Sequence, residues 1–123
     1  MPNQEMTQEP ASPRSAFSFY AANGRVYASN VAQKLIDLGA LTQQTDGWCY
    51  LLDGSKQSAQ GLPSAEAALR HIADHVPFLY LDGQFTAVAD LRETGRVSLE
   101  GAARIDVMID ELQSGERAED ARV

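Results

Sequence analysis

Two histidines four residues apart are the first candidates for chemistry in this chain. His71 and His75 fall on consecutive turns of an expected helix, where two imidazoles can bind one metal ion. The intervening residues, Ile-Ala-Asp, do not form the His-Glu-x-x-His pattern of a metalloprotease, and a third ligand would have to come from elsewhere. We therefore predict two exposed surface histidines and no bound metal, with a pH-sensitive contact or a zinc site as the alternatives.

A single cysteine is the second candidate. Cys49 could act as a nucleophile beside a histidine, but it lies between Trp48 and Tyr50 in an expected strand, without a basic neighbour to activate it. The glycines occur singly, mostly in Asn-Gly or Asp-Gly turns, so they form no phosphate-binding loop. We predict no catalytic residue and no cofactor. The alternative is a small metal- or thiol-dependent enzyme that uses both histidines and Cys49.

Length and charge limit the class of protein. The 123 residues are enough for about one domain, and 44% are apolar, as in ordinary globular proteins. The net charge of −7 disfavours direct nucleic-acid binding, which needs clustered Lys and Arg, although a nucleic-acid-associated regulator is a further alternative. No stretch approaches the roughly 20 apolar residues of a membrane span. The single cysteine favours a reducing compartment, so we expect a cytoplasmic protein.

Polar segments at both ends set the expected domain limits. Residues 1–15 contain three prolines and no large apolar residue except methionine, so they predict a disordered tail. Residues 114–123 predict a second disordered, polar tail. The single domain is expected over 16–113, where acidic residues again outnumber basic ones. The acidity is therefore expected on the surface of the domain.

An Asn-Gly pair organises the first predicted element. Asn23-Gly24 separates two apolar runs and indicates a β-hairpin with a type I′ turn. In that register Tyr20 lies opposite Tyr27 on one face of the hairpin. The other face, which we expect to join the core, carries Phe17, Phe19, Ala21, Val26 and Ala28.

The remaining patterns predict an α+β fold. Apolar residues at helical spacing predict three helices, and the second of them begins at the N-cap Ser64 and ends before Pro77. Asp82-Gly83 between apolar runs predicts a second hairpin, whereas 53–63 is expected to be a loop. The order β-β-α-β-α-β-β-α gives a mostly antiparallel sheet of about five strands with three helices. The predicted helices are 31–38, 65–76 and 99–113, and the later strands are 48–52, 78–81 and 84–89.

Aromatic and apolar strand faces are the predicted binding surface, unless the chain's own helices cover them. Tyrosine and tryptophan are frequent in interface hot spots. We predict a non-catalytic protein-binding module, such as an adaptor, a secretion-type chaperone or an inhibitor, that forms a homodimer. An acidic surface favours a basic protein as the other partner. The predicted contact residues are Tyr20, Tyr27, Trp48, Tyr50, Leu79, Leu81, Asp106 and Asp110.

Overall fold

The described part of the chain forms one antiparallel sheet and two helices. The computed structural model describes residues 14–55, 57–93, 95 and 97–111. The predicted tails lie outside these residues, except that Arg14 and Ser15 begin the first strand. The elements are β1 (Arg14–Ala22), β2 (Arg25–Asn30), β3 (Leu35–Gln44), β4 (Gly47–Leu52), β5 (Ser58–Leu62), α1 (Ala65–His75), α2 (Phe78–Ala87) and β6 (Ala103–Asp110).

The strand order brings the last strand back beside the first. The sheet runs β5-β4-β3-β2-β1-β6, and each neighbouring pair is antiparallel. Helix α1 contacts β6 and β1 near one end of this order and also β4 and β5 at the other. The sheet therefore curls around α1. We call the face toward the helices the inner face and the opposite one the outer face.

The main core lies between the inner face and the helices. Phe17 of β1 stacks on Phe85 of α2 with ring centroids 5.7 Å apart and lies 6.3 Å from the ring of Phe78. Burial of such side chains is the main stabilising contribution in a domain of this size. The largest fully buried side chains are Phe19, Val26, Ile36, Leu38, Leu52, Leu69, Ile72 and Leu81.

Two local predictions are confirmed. The first hairpin has the expected register, with Tyr20 opposite Tyr27, and both turn residues have positive φ, 58° at Asn23 and 72° at Gly24. Helix α1 begins as expected, because the Ser64 hydroxyl accepts the main-chain N–H of Ala67 at 3.0 Å. Strand β4 also matches its prediction within one residue.

The predicted helix over 31–38 is wrong. Residues 31–34 form a turn in which the Asn30 side-chain oxygen accepts the N–H of Lys34 at 3.0 Å, and β3 starts at Leu35. Leu35 is buried on the outer face, whereas Ile36 and Leu38 are buried in the main core. A strand that is covered on both faces lacks the simple alternation of apolar and polar residues. The apolar residues of β3 therefore had a spacing that is also typical of a helix.

The predicted second hairpin is also wrong, because its residues form α2. Leu81 and Phe85, four residues apart, are buried on the side of α2 that faces the core. Asp82-Gly83 lies inside the helix, and Gly83 does not have a positive φ. Tertiary burial at helical spacing therefore outweighed the turn and strand preferences of the segment.

The predicted third helix over 99–113 is wrong, because this region contains strand β6 (Ala103–Asp110). In β6, Ile105 and Ile109 are buried on the inner face, whereas Arg104, Asp106 and Met108 point outward, which is a period of two. Residues 53–63, which were predicted to be a loop, contain strand β5. The fold is thus α+β with an antiparallel sheet, as predicted, but the described residues form six strands and two helices rather than about five and three.

Part of the outer face is covered by the described residues from Leu91 to Ala102, which we call the cover segment. Its apolar side chains pack on Tyr20, Tyr27 and Leu35 in a second, smaller core. The main-chain N–H of Leu91 donates to the carbonyl of Leu35 at 2.7 Å, and this bond holds the segment against the start of β3. Neither described helix is long and apolar enough to cross a membrane.

Candidate binding groove

An open groove of about 600 Å³ lies on the outer face next to the cover segment. Strands β1, β2 and β6 form its floor, and the turn after β2 forms one wall. Two of the eight predicted contact residues, Tyr20 and Asp106, are in its lining. The other lining residues that matter for its chemistry are Ser18, Ser29, Val31, Arg92, Arg104 and Met108.

Strand register explains why the floor residues are neighbours. Ser18 lies directly opposite Asp106, and Tyr20 lies opposite Arg104. Ser29 of β2 lies opposite Ser18 on its other side. Since side chains alternate between faces along a strand, these residues all point to the outer face. Three strands therefore contribute to one continuous polar floor.

A hydrogen-bonded network runs along this floor. The Ser18 hydroxyl donates to Asp106 Oδ1 at 2.5 Å, and Arg104 Nε donates to the same oxygen at 2.9 Å. The guanidinium carbon of Arg104 lies 5.4 Å from the centre of the Tyr20 ring, within cation–π range. The Tyr20 hydroxyl in turn lies 3.3 Å from Ser29 Oγ. The network fixes Arg104 between an aromatic face and a carboxylate.

The same contacts set the charges of the groove. The Ser18 hydroxyl and then the Arg104 guanidinium lower the pKa of Asp106, because both donate to its ionised form. The hydrogen bond to Asp106 raises the pKa of Arg104. Both groups are therefore charged near neutral pH. A carboxylate held this way is a poor general base, so the floor is better suited to polar recognition than to proton transfer.

Apolar side chains border the polar floor. Val31 is 77% exposed on the turn after β2, and Met108 is 56% exposed on β6. Arg92, at the start of the cover segment, adds a positive charge at the rim. Concave sites that combine apolar surface with a few oriented polar groups are typical binding sites.

The other predicted contact residues are not in the groove. Tyr27 is buried beneath the cover segment. Leu79 is 66% exposed, but it belongs to α2, on the inner side of the sheet. The remaining four are Tyr50 and Leu81 in the main core, Trp48 packed against that core, and Asp110 at the end of β6 opposite Arg14.

Several lining residues were missed by sequence reasoning. Ser18 follows from the predicted hairpin, which places it on the same face as Tyr20. Arg104 and Met108 would have followed from reading 103–110 with a period of two, since that pattern puts both beside Asp106. Val31 and Arg92 lie in a turn and a loop, and neither carried a pattern that could place it at the groove.

The histidines and the cysteine lie elsewhere. His75 is exposed, as predicted, whereas His71 is half-buried against Tyr50. Partial burial and then the neighbouring His75 lower the pKa of His71. Cys49 is half-buried on β4, with its sulfur 3.4 Å from Thr42 Oγ1. Among the described residues, His, Cys, Asp and Glu side chains form no group of three or more that could hold a metal ion.

Comparisons of the chain with protein-family models, with curated proteins and with solved structures found no match.

Proposed function

We propose that this chain is a non-catalytic, cytoplasmic protein-binding module whose groove holds an extended segment of a partner protein. An adaptor, a secretion-type chaperone or an inhibitor would act in this way. The observation that carries the proposal is the groove of about 600 Å³ between the exposed side chains of Val31 and Met108.

The distribution of exposed apolar residues supports this site. In the described part of the chain, the large apolar side chains that are most exposed are Val31, Leu51, Leu79 and Met108, and two of these four border the groove. A concave site with apolar walls gains free energy when a partner covers those walls. The floor groups are held in place by hydrogen bonds to one another, so a partner meets a preorganised polar surface.

The charge of the chain favours a basic partner. The net charge of −7 attracts a positively charged protein at long range and increases the association rate. Inside the groove, Arg104 and Asp106 balance one another at 2.9 Å, and the Arg92 charge at the rim lies near the carboxylate of Asp90. Local contacts there would thus come mainly from apolar side chains. The segment we propose is therefore extended, with apolar side chains for the groove and Lys or Arg around them.

A second copy of the chain is a further partner, and strand β6 supports it. Among the described strands β6 lies at the end of the sheet and pairs only with β1, so its other edge offers main-chain groups to a second β6 strand. If two β6 strands pair antiparallel about Val107, Arg104 of one copy lies opposite Asp110 of the other. Each such pair of opposite charges contributes roughly 0.2–1 kcal/mol. The two grooves would then lie on the same face of a continuous sheet.

The experiment that tests the groove uses peptides selected from a displayed random library on the wild-type protein. Met108→Lys and Val31→Lys each place a charge at the groove without disturbing a buried residue. Leu79→Lys is the matched control, because it makes the same change at an exposed residue of α2. We expect selected peptides that combine apolar and basic residues, and affinity at least about tenfold lower for the two groove variants, equivalent to about 1.4 kcal/mol.

The control decides the outcome. Unchanged affinity for Leu79→Lys together with the loss at Met108 supports the groove. If all three variants bind the peptides as tightly as the wild type does, or if only Leu79→Lys loses affinity, the segment binds elsewhere and the proposal is overturned.

A further inference from the structure

One residue in the wall of the groove has an unusual backbone conformation. Gln33, in the connection between β2 and β3, has φ of +65°, and Asn23 is the only other described residue besides glycine with a positive φ. Asn23 lies in a two-residue hairpin turn that requires this conformation, and asparagine adopts it readily. A glutamine there is less stable, because its Cβ comes close to a neighbouring carbonyl oxygen. Gln33 is therefore held at a conformational cost.

Three hydrogen bonds of the connection hold Gln33 in this conformation. The Gln33 N–H donates to the carbonyl of Asn30 at 2.9 Å, and the Asn30 N–H donates to the carbonyl of Lys34 at 3.3 Å. The Asn30 side-chain oxygen also accepts the N–H of Lys34 at 3.0 Å. A β-turn followed by one left-handed residue is a common hairpin connection, and the left-handed residue in it is usually glycine. The geometry of the turn therefore does not explain a glutamine at this position.

Gln33 lines the groove with an unengaged polar group. The residue is exposed, and its side-chain amide makes no hydrogen bond to any described residue. On the floor, by contrast, Ser18, Asp106 and Arg104 are hydrogen-bonded to one another. A glutamine amide carries a donor and an acceptor side by side. Each residue of an extended main chain presents the complementary pair, one C=O and one N–H.

We propose that the Gln33 side chain binds the main chain of the partner segment, donating to the carbonyl and accepting the N–H of one residue. This role rests on the proposed binding of an extended segment in the groove. Main-chain groups that lose water without gaining a partner cost free energy, so a covered segment needs such a partner. Residues held in a costly conformation are concentrated at binding sites. The groove would then recognise the extended conformation of the segment at this point and exclude proline, which has no N–H.

Two substitutions separate the amide from the backbone conformation. Gln33→Gly removes both the amide and the conformational cost, whereas Gln33→Ala removes the amide alone. We expect both variants to bind the peptides selected on the wild type roughly fivefold more weakly. Gln33→Gly should also have a higher urea midpoint than the wild type, and Gln33→Ala should have a similar one. Gln60→Ala removes an exposed amide from β5 and is the matched control, with affinity and midpoint unchanged.

Peptides that are N-methylated at one residue at a time identify the main-chain group that Gln33 binds. At one position the methyl group should lower the affinity for the wild type and have little further effect on Gln33→Ala, because the bond is already absent there. Proline at that position should act in the same way. A loss that is equal in the wild type and in Gln33→Ala at every position would overturn the main-chain contact.

The role of Gln33 and the function of the groove can fail separately. If Gln33→Gly and Gln33→Ala bind as the wild type does while Met108→Lys weakens binding, the groove binds the segment but Gln33 does not contact it. A midpoint of Gln33→Gly that is not raised would contradict the conformational cost of Gln33. If no peptide is selected, or if binding is independent of Met108 and Val31, the proposed function fails and the role of Gln33 fails with it.

Discussion

The carboxylate of Asp90 accepts the main-chain N–H of Leu35 at 3.1 Å, although the two residues are 55 positions apart. The same oxygen accepts the N–H of Arg92 at 3.0 Å. These two bonds tie the start of the cover segment to the start of β3. They also lower the pKa of Asp90, because both donors favour the ionised carboxylate.

Asp90→Ala should lower the stability of the folded chain at pH 7. The variant loses both hydrogen bonds to the Asp90 carboxylate and keeps the main-chain bond from Leu91 to Leu35, so the cover segment, whose apolar residues bury Tyr20 and Tyr27, is held less firmly. We expect a lower urea midpoint and faster hydrogen exchange at the Leu35 amide. Glu93→Ala is the matched control, because it removes an exposed carboxylate from the same segment and should leave the midpoint unchanged.

The pH dependence of this difference follows from the lowered pKa. The Asp90 carboxylate stabilises the folded state fully above its ordinary pKa of 3.8, and it loses this contribution as the pH falls through its lower value in the folded protein. The gap in urea midpoint between the wild type and Asp90→Ala should therefore narrow below about pH 3.8. A gap that is constant from pH 7 to low pH would contradict the anchoring role of the charge.

Gly39→Ala should destabilise the chain strongly. Gly39 has φ of +153°, and a Cβ atom there would lie 2.3 Å from the main-chain oxygen of Leu51 and 2.8 Å from the Cα of Leu52. Because both atoms belong to the backbone of β4, the strands would have to separate. We expect the free energy of unfolding to fall by at least about 2 kcal/mol, measured by urea denaturation.

Gly83→Ala is the matched control for that substitution. Gly83 lies inside α2, and nothing is within 4 Å of its added Cβ. Alanine should stabilise the helix there by about 0.5–1 kcal/mol. Equal effects of the two substitutions would contradict the close approach of β3 and β4 at Gly39.

The fold was predictable where one local signal dominated. Asn23-Gly24 determined the hairpin register, and Ser64 with Pro77 determined the limits of α1. Elsewhere the deciding contacts are distant in sequence. Leu35 is buried by a segment more than 50 residues later, and Phe85 of α2 is buried against Phe17. No window of local sequence contains those contacts, so local patterns predicted the wrong element in both places.

Opposite charges on β6 should control association between two copies. Asp110→Arg places like charges together in the proposed antiparallel pairing and should shift the chain toward monomer in analytical ultracentrifugation. Arg104→Asp should do the same. The double exchange, Arg104→Asp with Asp110→Arg, restores opposite charges and should restore the dimer. A wild type that is monomeric at every concentration would refute the pairing, as would a double variant no more dimeric than either single variant.

Only part of the groove could be predicted, because contacts between residues distant in sequence bring its lining together. Tyr20 and Asp106 were selected from the sequence as exposed residues on separate elements, without a reason to place them together. Their proximity depends on the pairing of β1 with β6, which puts Ser18 opposite Asp106. The charged network on the floor requires strand β6. It could not be predicted, because residues 99–113 were expected to form a helix.

The pairing of the first strand with the last determines when the groove can form. All the other strand pairs join neighbours in the sequence, but Ser18 and Asp106 are 88 positions apart. Closing a loop of that length is slower than forming the adjacent hairpins. During synthesis, the chain would have to leave the ribosome at least as far as Asp110 before the floor of the groove exists. A partner that binds there would thus recognise only molecules in which β6 has already paired with β1.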